Sequence, residues 1–278
     1  MVKMHFIFLS LALSLWGLSA CKSSEVPIPG LDQVVVDGDE LGDEINYDDL
    51  TLVWSDEFDG EKLNLTKWAY RGEGSVRNYA TVDRSAVALD GEGHLALKVY
   101  YDESSGTYYI GHISTDKIFS RLYGYFECRA RMNKSQGPHI GFWLQSSDMT
   151  SGTDAAKNGA EIDIFEYHRL TPNIVHNTVH WGGYGDAHQS VTHKYVNNDV
   201  GDDQFHTFGL KWTKSKYVFY VDGKVSWSTT TAVSQHPEYI ILSTELTGWG
   251  GSNRNQWKFP DEVLFDYVRV YDFKKTNN

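Results

Sequence analysis

The chain has 278 residues, 41% of them hydrophobic, and a formal net charge of −12. That length and apolar content suffice for one large core, and all-β domains of this size are commonly single units. The acidic balance argues against nucleic acid and against anionic lipid headgroups as partners, since both would be repelled.

Residues 1–20 predict an export signal: Lys3 precedes an apolar run from Phe6 to Leu18, too short to cross a bilayer comfortably, and small residues follow. Cys21 stands where that run gives way to polar chain. Residues 21–50 predict an acidic tether, because positions 22–50 hold nine acids against one lysine, with Pro27, Pro29 and several glycines. Such a composition repels itself and stays extended. Residues 51–278 are expected to form the folded domain.

From Thr51 onward, short β-branched and aromatic runs alternate with turn signals, and helical periodicity is scarce, which predicts an all-β fold. His94-Leu95-Ala96-Leu97-Lys98-Val99 reads as a strand after the turn at Asp90-Gly91. Tyr123 to Met132 alternates, with Phe126, Cys128, Ala130 and Met132 on one face and Tyr125, Glu127, Arg129 and Arg131 on the other. Glu127 is expected to pair with the arginines of its own face. Cys128 is expected to be a small buried hydrophobe, and a disulfide framework or cysteine metal site is unsupported. Val175 to Trp181 reads as a strand with His176, Thr178 and His180 on one face, and His176 is expected to be a satisfied core histidine. Farther on, Asp222-Gly223 suits a type I′ hairpin turn. Nine tryptophans, seventeen tyrosines and thirteen phenylalanines supply the core and platforms on which sugar rings could stack.

The stretch Gly159-Ala160-Glu161-Ile162-Asp163-Ile164-Phe165-Glu166-Tyr167-His168 places three carboxylates within a segment otherwise suited to burial. Its β-branched and aromatic residues predict a strand, so Glu161 and Asp163 share a face and Glu166 falls on the opposite one. A β-bulge at Ile164-Phe165 would return Glu166 to the face of the other two. Two glutamates so placed, with an aspartate between them, match the needs of double-displacement glycoside cleavage: one attacks and the other protonates the leaving oxygen. Asp163 would orient Glu161 through a shared proton, and its charge would help keep Glu166 protonated. Alternating acids on a solvated strand are the plainer reading, but three acids on one face without a lysine or arginine repel one another. His168, His180 and His188 match no metal-ligand spacing, so metal catalysis is not expected.

Glu161-Ile162-Asp163-Ile164-Phe165-Glu166 resembles the E-x-D-x-x-E signature of glycoside hydrolase family 16, and the resemblance runs from about Leu52 to Tyr271. It implies a nucleophile at Glu161, an assisting acid at Asp163 and the acid/base at Glu166. It implies a concanavalin A-like β-sandwich jelly roll with a substrate cleft on its concave sheet. By the same resemblance Trp143 and Trp249 would stack on sugar, Asn78 would contact substrate, and His180 would approach the catalytic carboxylates. No cofactor is required, although family members often hold a structural Ca²⁺. Leu18-Ser19-Ala20-Cys21 resembles the lipobox of bacterial lipoproteins, which implies lipidation at Cys21 and a membrane-anchored enzyme at the cell surface or in the periplasm.

The expected function is therefore a monomeric retaining endo-β-glycosidase acting on a polysaccharide, with a lean toward β-1,3- or mixed-linkage glucan. Gly248-Trp249-Gly250 and Arg77-Asn78-Tyr79-Ala80 depart from the usual laminarinase wording, which keeps an endo-β-galactosidase acting on galactan or mucin O-glycan close behind. A transglycosylase would share the chemistry. A sugar-binding module without catalysis is the rival from another class.

Overall fold

The computed structural model describes residues 36–275. The signal segment, Cys21 and the tether as far as residue 35 lie outside the described residues. The remainder is a sandwich of two sheets, one of 11 strands and one of 8. The eight-stranded sheet runs in space through Gln189–Val196, Ile174–Trp181, Glu161–His168, Gly137–Gln145, Glu238–Gly250, His112–Ser114 and Ala69–Tyr70, all antiparallel. The other sheet centres on Gly124–Arg131, which lies between His206–Trp212 and Asp261–Phe273. This is the expected β-jelly-roll architecture.

The core lies between the sheets because each strand turns alternate residues inward. Phe126, Cys128 and Ala130 from one sheet and Ile140, Phe142 and Ile162 from the other are fully buried, as are Phe208 and Val268. The rings of Phe165 and Phe208 meet across the gap with centroids 4.1 Å apart. Burying an aromatic or large aliphatic side chain of this kind contributes roughly 1.5–3 kcal/mol. Cys128 is buried and free, as its alternation predicts. Asp222 and Gly223 take φ values of 50° and 71°, the pair of positive angles that a type I′ turn needs.

Two expectations give way. Residues 36–50 are not an extended tether: Val36, Leu41 and Ile45 pack against the core. Ser215 donates to Asp39 through its amide at 2.9 Å and its hydroxyl at 2.7 Å, and Lys216 pairs with Asp43. The Lys211 ammonium donates to the Gly42 carbonyl. Acids that would repel one another in an isolated segment instead meet lysines and amides of the body. Glu127 also does not pair with arginines. It accepts from the hydroxyls of Tyr47 and Tyr125, each at 2.7 Å, and of Tyr267 at 2.9 Å, while Arg129 turns to Asp266. Buried as it is, Glu127 satisfies its oxygens with phenols that approach from three separate segments.

Candidate active site

The strand Glu161–His168 carries the bulge. Against its neighbour Ile174–Trp181, Asp163 pairs with Thr178 and Glu166 with His176, so Ile164 and Phe165 together oppose Asn177. Against Gly137–Gln145, Phe142 pairs with Phe165 and Trp143 with Asp163. Ile164 and Phe165 both enter the core, which consumes the parity that would have sent Glu166 inward. Glu161, Asp163 and Glu166 consequently line a single cavity of about 340 Å³, together with Arg71, Arg77, His139, Gly141, Trp143, Tyr184, Ser243 and Glu245.

The three acids stand in different environments. Burial, followed by the charges of Asp163 and Glu161, pushes the Glu166 carboxyl well above the ordinary range, which favours its protonated form. Burial and the charge of Glu161 likewise raise Asp163. His180 Nε2 lies 3.3 Å from Asp163 Oδ2 and 3.8 Å from Glu161 Oε1. The first contact is off the line of a hydrogen bond and leaves that buried oxygen without a partner among the described residues. Nδ1 of His180 shares a hydrogen bond with His188 Nε2 at 2.9 Å. Glu161 is held differently, because its Oε2 accepts from Gln145 Nε2 at 3.0 Å and from the Tyr184 hydroxyl.

A fourth carboxylate, Glu245, enters the cavity from Glu238–Gly250. It is 3% exposed, accepts from Arg77 Nε at 2.8 Å and lies 3.3 Å from His112 Nε2. Burial raises its carboxyl and Arg77 opposes the shift. Glu245, Arg77, Tyr184 and Gln145 are not among the residues expected at the site. An acid within the apolar run Ile240-Ile241-Leu242-Ser243-Thr244-Glu245-Leu246 was a signal that could have found the first.

The residues expected to meet sugar are placed unequally. Trp143 lines the cavity, donates from its indole to Ser243 Oγ at 3.0 Å and is covered by the Arg71 guanidinium 5.0 Å from the ring centroid. Trp249 is 40% exposed and stands edge-on to His139, His168 and His176, beyond Glu166. His176 is buried as expected, but its Nε2 finds no partner among the described residues. Asn78 sits at φ 54° and donates to the Thr247 carbonyl at 3.0 Å, so the neighbouring Arg77, not Asn78, lines the cavity.

Among the described residues, two groupings bring three carboxylate or imidazole donors together. In Asp90, Glu92 and His94 the Asp90 oxygens are already occupied by the amides of Glu92 and His94 and by the His94 ring. In Glu161, Asp163 and His180 burial and the charge of Glu161 raise the Asp163 carboxyl, which favours its protonated form.

The family model for glycosyl hydrolases family 16 matches residues 76–269. A glucan endo-1,3-beta-glucosidase A1 of Niallia circulans is 27% identical over 261 residues, covering 80% of this chain and 38% of that one. A beta-glucanase of Rhodothermus marinus is 29% identical over 241 residues, covering 79% of this chain and 84% of its own. The chain thus spans well under half of the first relative and most of the second. A solved structure described as one of the endo-acting O-glycanases that gut bacteria express to initiate mucin breakdown superposes with a TM-score of 0.68 at 25% identity, covering 81% of this chain and 92% of that one. With the match to the family model spanning most of its length, the chain belongs to family 16 of the glycosyl hydrolases.

Proposed function

We propose that the protein is a retaining endo-β-glycosidase that cuts internal bonds of a β-1,3- or mixed-linkage glucan. The observation that carries this reading is the bulge, which sets Glu161 and Glu166 on the wall of one cavity, where burial raises the Glu166 carboxyl. Glu161 attacks the anomeric carbon while the bond to the leaving sugar breaks, and Glu166 gives that oxygen its proton. Glu166, now a carboxylate, takes a proton from the water that displaces Glu161. Asp163 stands between them on the strand, its carboxyl raised by burial and by the charge of Glu161. A sugar-binding module would have no use for three acids gathered on one cavity wall.

The glucan preference rests on the relatives that act on β-glucan. A second reading, cleavage of β-1,4-galactosyl linkages in galactan or mucin O-glycan, is favoured by two observations. Asn78, the residue that supported a glucan, spends its amide on Thr247, and the likeness to the O-glycanase structure is of the same order as that to the glucanases. Product analysis on laminarin, mixed-linkage glucan, agarose, porphyran and mucin tests both readings. Oligosaccharide release from laminarin that is lost in Glu161→Gln supports the first, and release from mucin or galactan alone replaces it with the second.

The lipid anchor at Cys21 is proposed from Leu18-Ser19-Ala20-Cys21 and would tie the enzyme to a bacterial membrane, at the cell surface or on the periplasmic side. Palmitate labelling that disappears in Cys21→Ala supports it; an unlabelled wild type refutes it.

A further inference from the structure

The segment after the strand Ile174–Trp181 reads Gly182-Gly183-Tyr184-Gly185-Asp186-Ala187-His188. Gly182 and Gly183 take φ values of 78° and 74°, and a side chain at Gly182 would strike the Ala187 carbonyl at 2.5 Å. The loop therefore closes tightly on itself, helped by the His188 amide donating to the Gly185 carbonyl at 3.0 Å. It delivers two groups to the acids: the Tyr184 hydroxyl reaches Glu161 Oε2, and His188 reaches His180. Tyr184 is 57% exposed as a residue, yet it lines the cavity and its hydroxyl lies at the nucleophile.

We propose that Tyr184 is a positioning residue that fixes the Glu161 carboxylate by one oxygen, so that Oε2 is the held atom and Oε1 the attacking one. The proposal rests on the glycosidase reading and assigns a role within it. Two donors, Tyr184 and Gln145 Nε2, converge on Oε2. Gln145 is itself oriented through its Oε1, which accepts from Tyr239 at 2.5 Å and from Arg71 at 3.3 Å. Oε1 of Glu161 has no hydrogen bond among the described residues, its nearest cation-forming neighbour being His180 at 3.8 Å. In the first step the Oε1–C1 bond forms, the bond from C1 to the leaving oxygen breaks with its electron pair, and that oxygen takes the Glu166 proton. In the second, water oxygen bonds to C1, its proton passes to Glu166, and the pair of the breaking C1–Oε1 bond returns to the carboxylate. The donors on Oε2 stabilise the charge that reappears there. Burial, then the Glu161 charge, pushes the Tyr184 phenol far up, so it stays a donor throughout the working range.

Tyr184→Phe tests this by two readouts. Asp163, Glu166, Glu245 and Arg71 line the same cavity as Glu161, His180 lies beside it, and Glu238 stands on the strand beyond Gly137–Gln145. All of these are unchanged by the substitution. The substitution removes one of the two donors that fix the held oxygen and leaves the ring on the cavity wall, so kcat should fall about tenfold with KM little altered. In a crystal structure of Tyr184→Phe the Glu161 carboxylate should turn away from the place it holds in the unsubstituted protein, a readout that needs no substrate. A turned carboxylate together with the fall in kcat supports the proposal. A carboxylate that keeps its place overturns it even if the enzyme is inactive on every glycan, and a turned carboxylate with kcat unchanged removes the catalytic role.

Discussion

The side-chain amide of Asn177 donates to the main-chain carbonyl of Ile164 at 2.7 Å. Asn177 is the residue that two residues oppose at the bulge, and its own Oδ1 accepts from Ser226 Oγ at 3.1 Å. A bulge opens the ladder and strands a polar group in the interior, where leaving it unmet costs roughly 1–3 kcal/mol. Asn177 therefore holds the kink that aims Glu166, although it does not line the cavity.

Asn177→Ala should lower the unfolding midpoint by several degrees, in keeping with a loss of roughly 1–3 kcal/mol. It should also lower kcat more than it changes KM, because Glu166 loses its aim while the sugar platforms remain. Denaturation monitored by tryptophan fluorescence and steady-state kinetics on the best substrate check both effects. A variant that is destabilised but fully active would mean that the bulge persists without this bond.

Much of the site was legible before the structure, for one reason: parity in a strand is a strict code. Glu166 stood out because it broke that code, and the only local repair was the bulge that is found at Ile164 and Phe165. Asn177 was hidden because it keeps the code, alternating properly between His176 and Thr178. Tyr184 and Glu245 meet Glu161 or its cavity from remote segments, and sheet order, which brings Glu238–Gly250 beside Gly137–Gln145, is not written in local pattern. Asn78 and Arg77 illustrate a smaller error: a positive φ at Asn78 turns the chain, so the adjacent residue faces the acids. The segment from 36 to 50 was misread because charge was weighed within the segment, without the lysines it would meet.

Glu238 makes stability depend on pH independently of catalysis. It is fully buried, its Oε1 accepts from the Ala160 amide at 3.0 Å, and its Oε2 has no partner among the described residues. Burial pushes its carboxyl well above the ordinary value. A carboxyl raised in the folded state binds its proton more tightly there, so its favourable contribution is complete below the unfolded value of about 4.3 and is lost as pH climbs through the folded one. Wild-type stability should accordingly decline from mildly acidic toward alkaline pH, with Glu166 and Asp163 adding in the same direction. Glu238→Gln keeps the shape and the acceptor for Ala160 while abolishing the titration, so its unfolding midpoint should fall less over that range. Parallel midpoint curves for the two proteins would contradict the expectation.

Arg77 and Glu245 are coupled, and unequally. Glu245 is buried, whereas 40% of the Arg77 side chain is exposed. Arg77→Ala strips a buried carboxylate of its cation, while Glu245→Gln leaves a guanidinium that water can still reach. The first should cost more stability than the second. Because Arg77 is partly solvated, the difference should be nearer 1–2 kcal/mol than the roughly 3–5 kcal/mol of a fully buried pair. The double variant should recover part of the loss, and a denaturant double-mutant cycle measures the coupling. Glu245→Gln should also raise KM, since it frees a guanidinium that lines the cavity.

The proposed roles of Glu161 and Glu166 predict opposite stereochemical outcomes when each is removed and azide is supplied. In Glu166→Ala the nucleophile remains, so an aryl glycoside whose leaving group needs no proton still forms the covalent intermediate. Azide then attacks from the face the aglycone left, giving the β-glycosyl azide with retention. In Glu161→Ala the space of the lost carboxylate admits azide on the opposite face, where it displaces the aglycone directly with Glu166 as proton donor, giving the α-glycosyl azide with inversion. Without azide, both variants should lose several orders of magnitude in kcat while unfolding at or near the wild-type midpoint. Proton NMR of the anomeric signal distinguishes the products within minutes of mixing. An α-azide from Glu166→Ala and a β-azide from Glu161→Ala would exchange the two assignments, and with them the reason for the bulge, since the residue it turns into the cavity would then be the nucleophile.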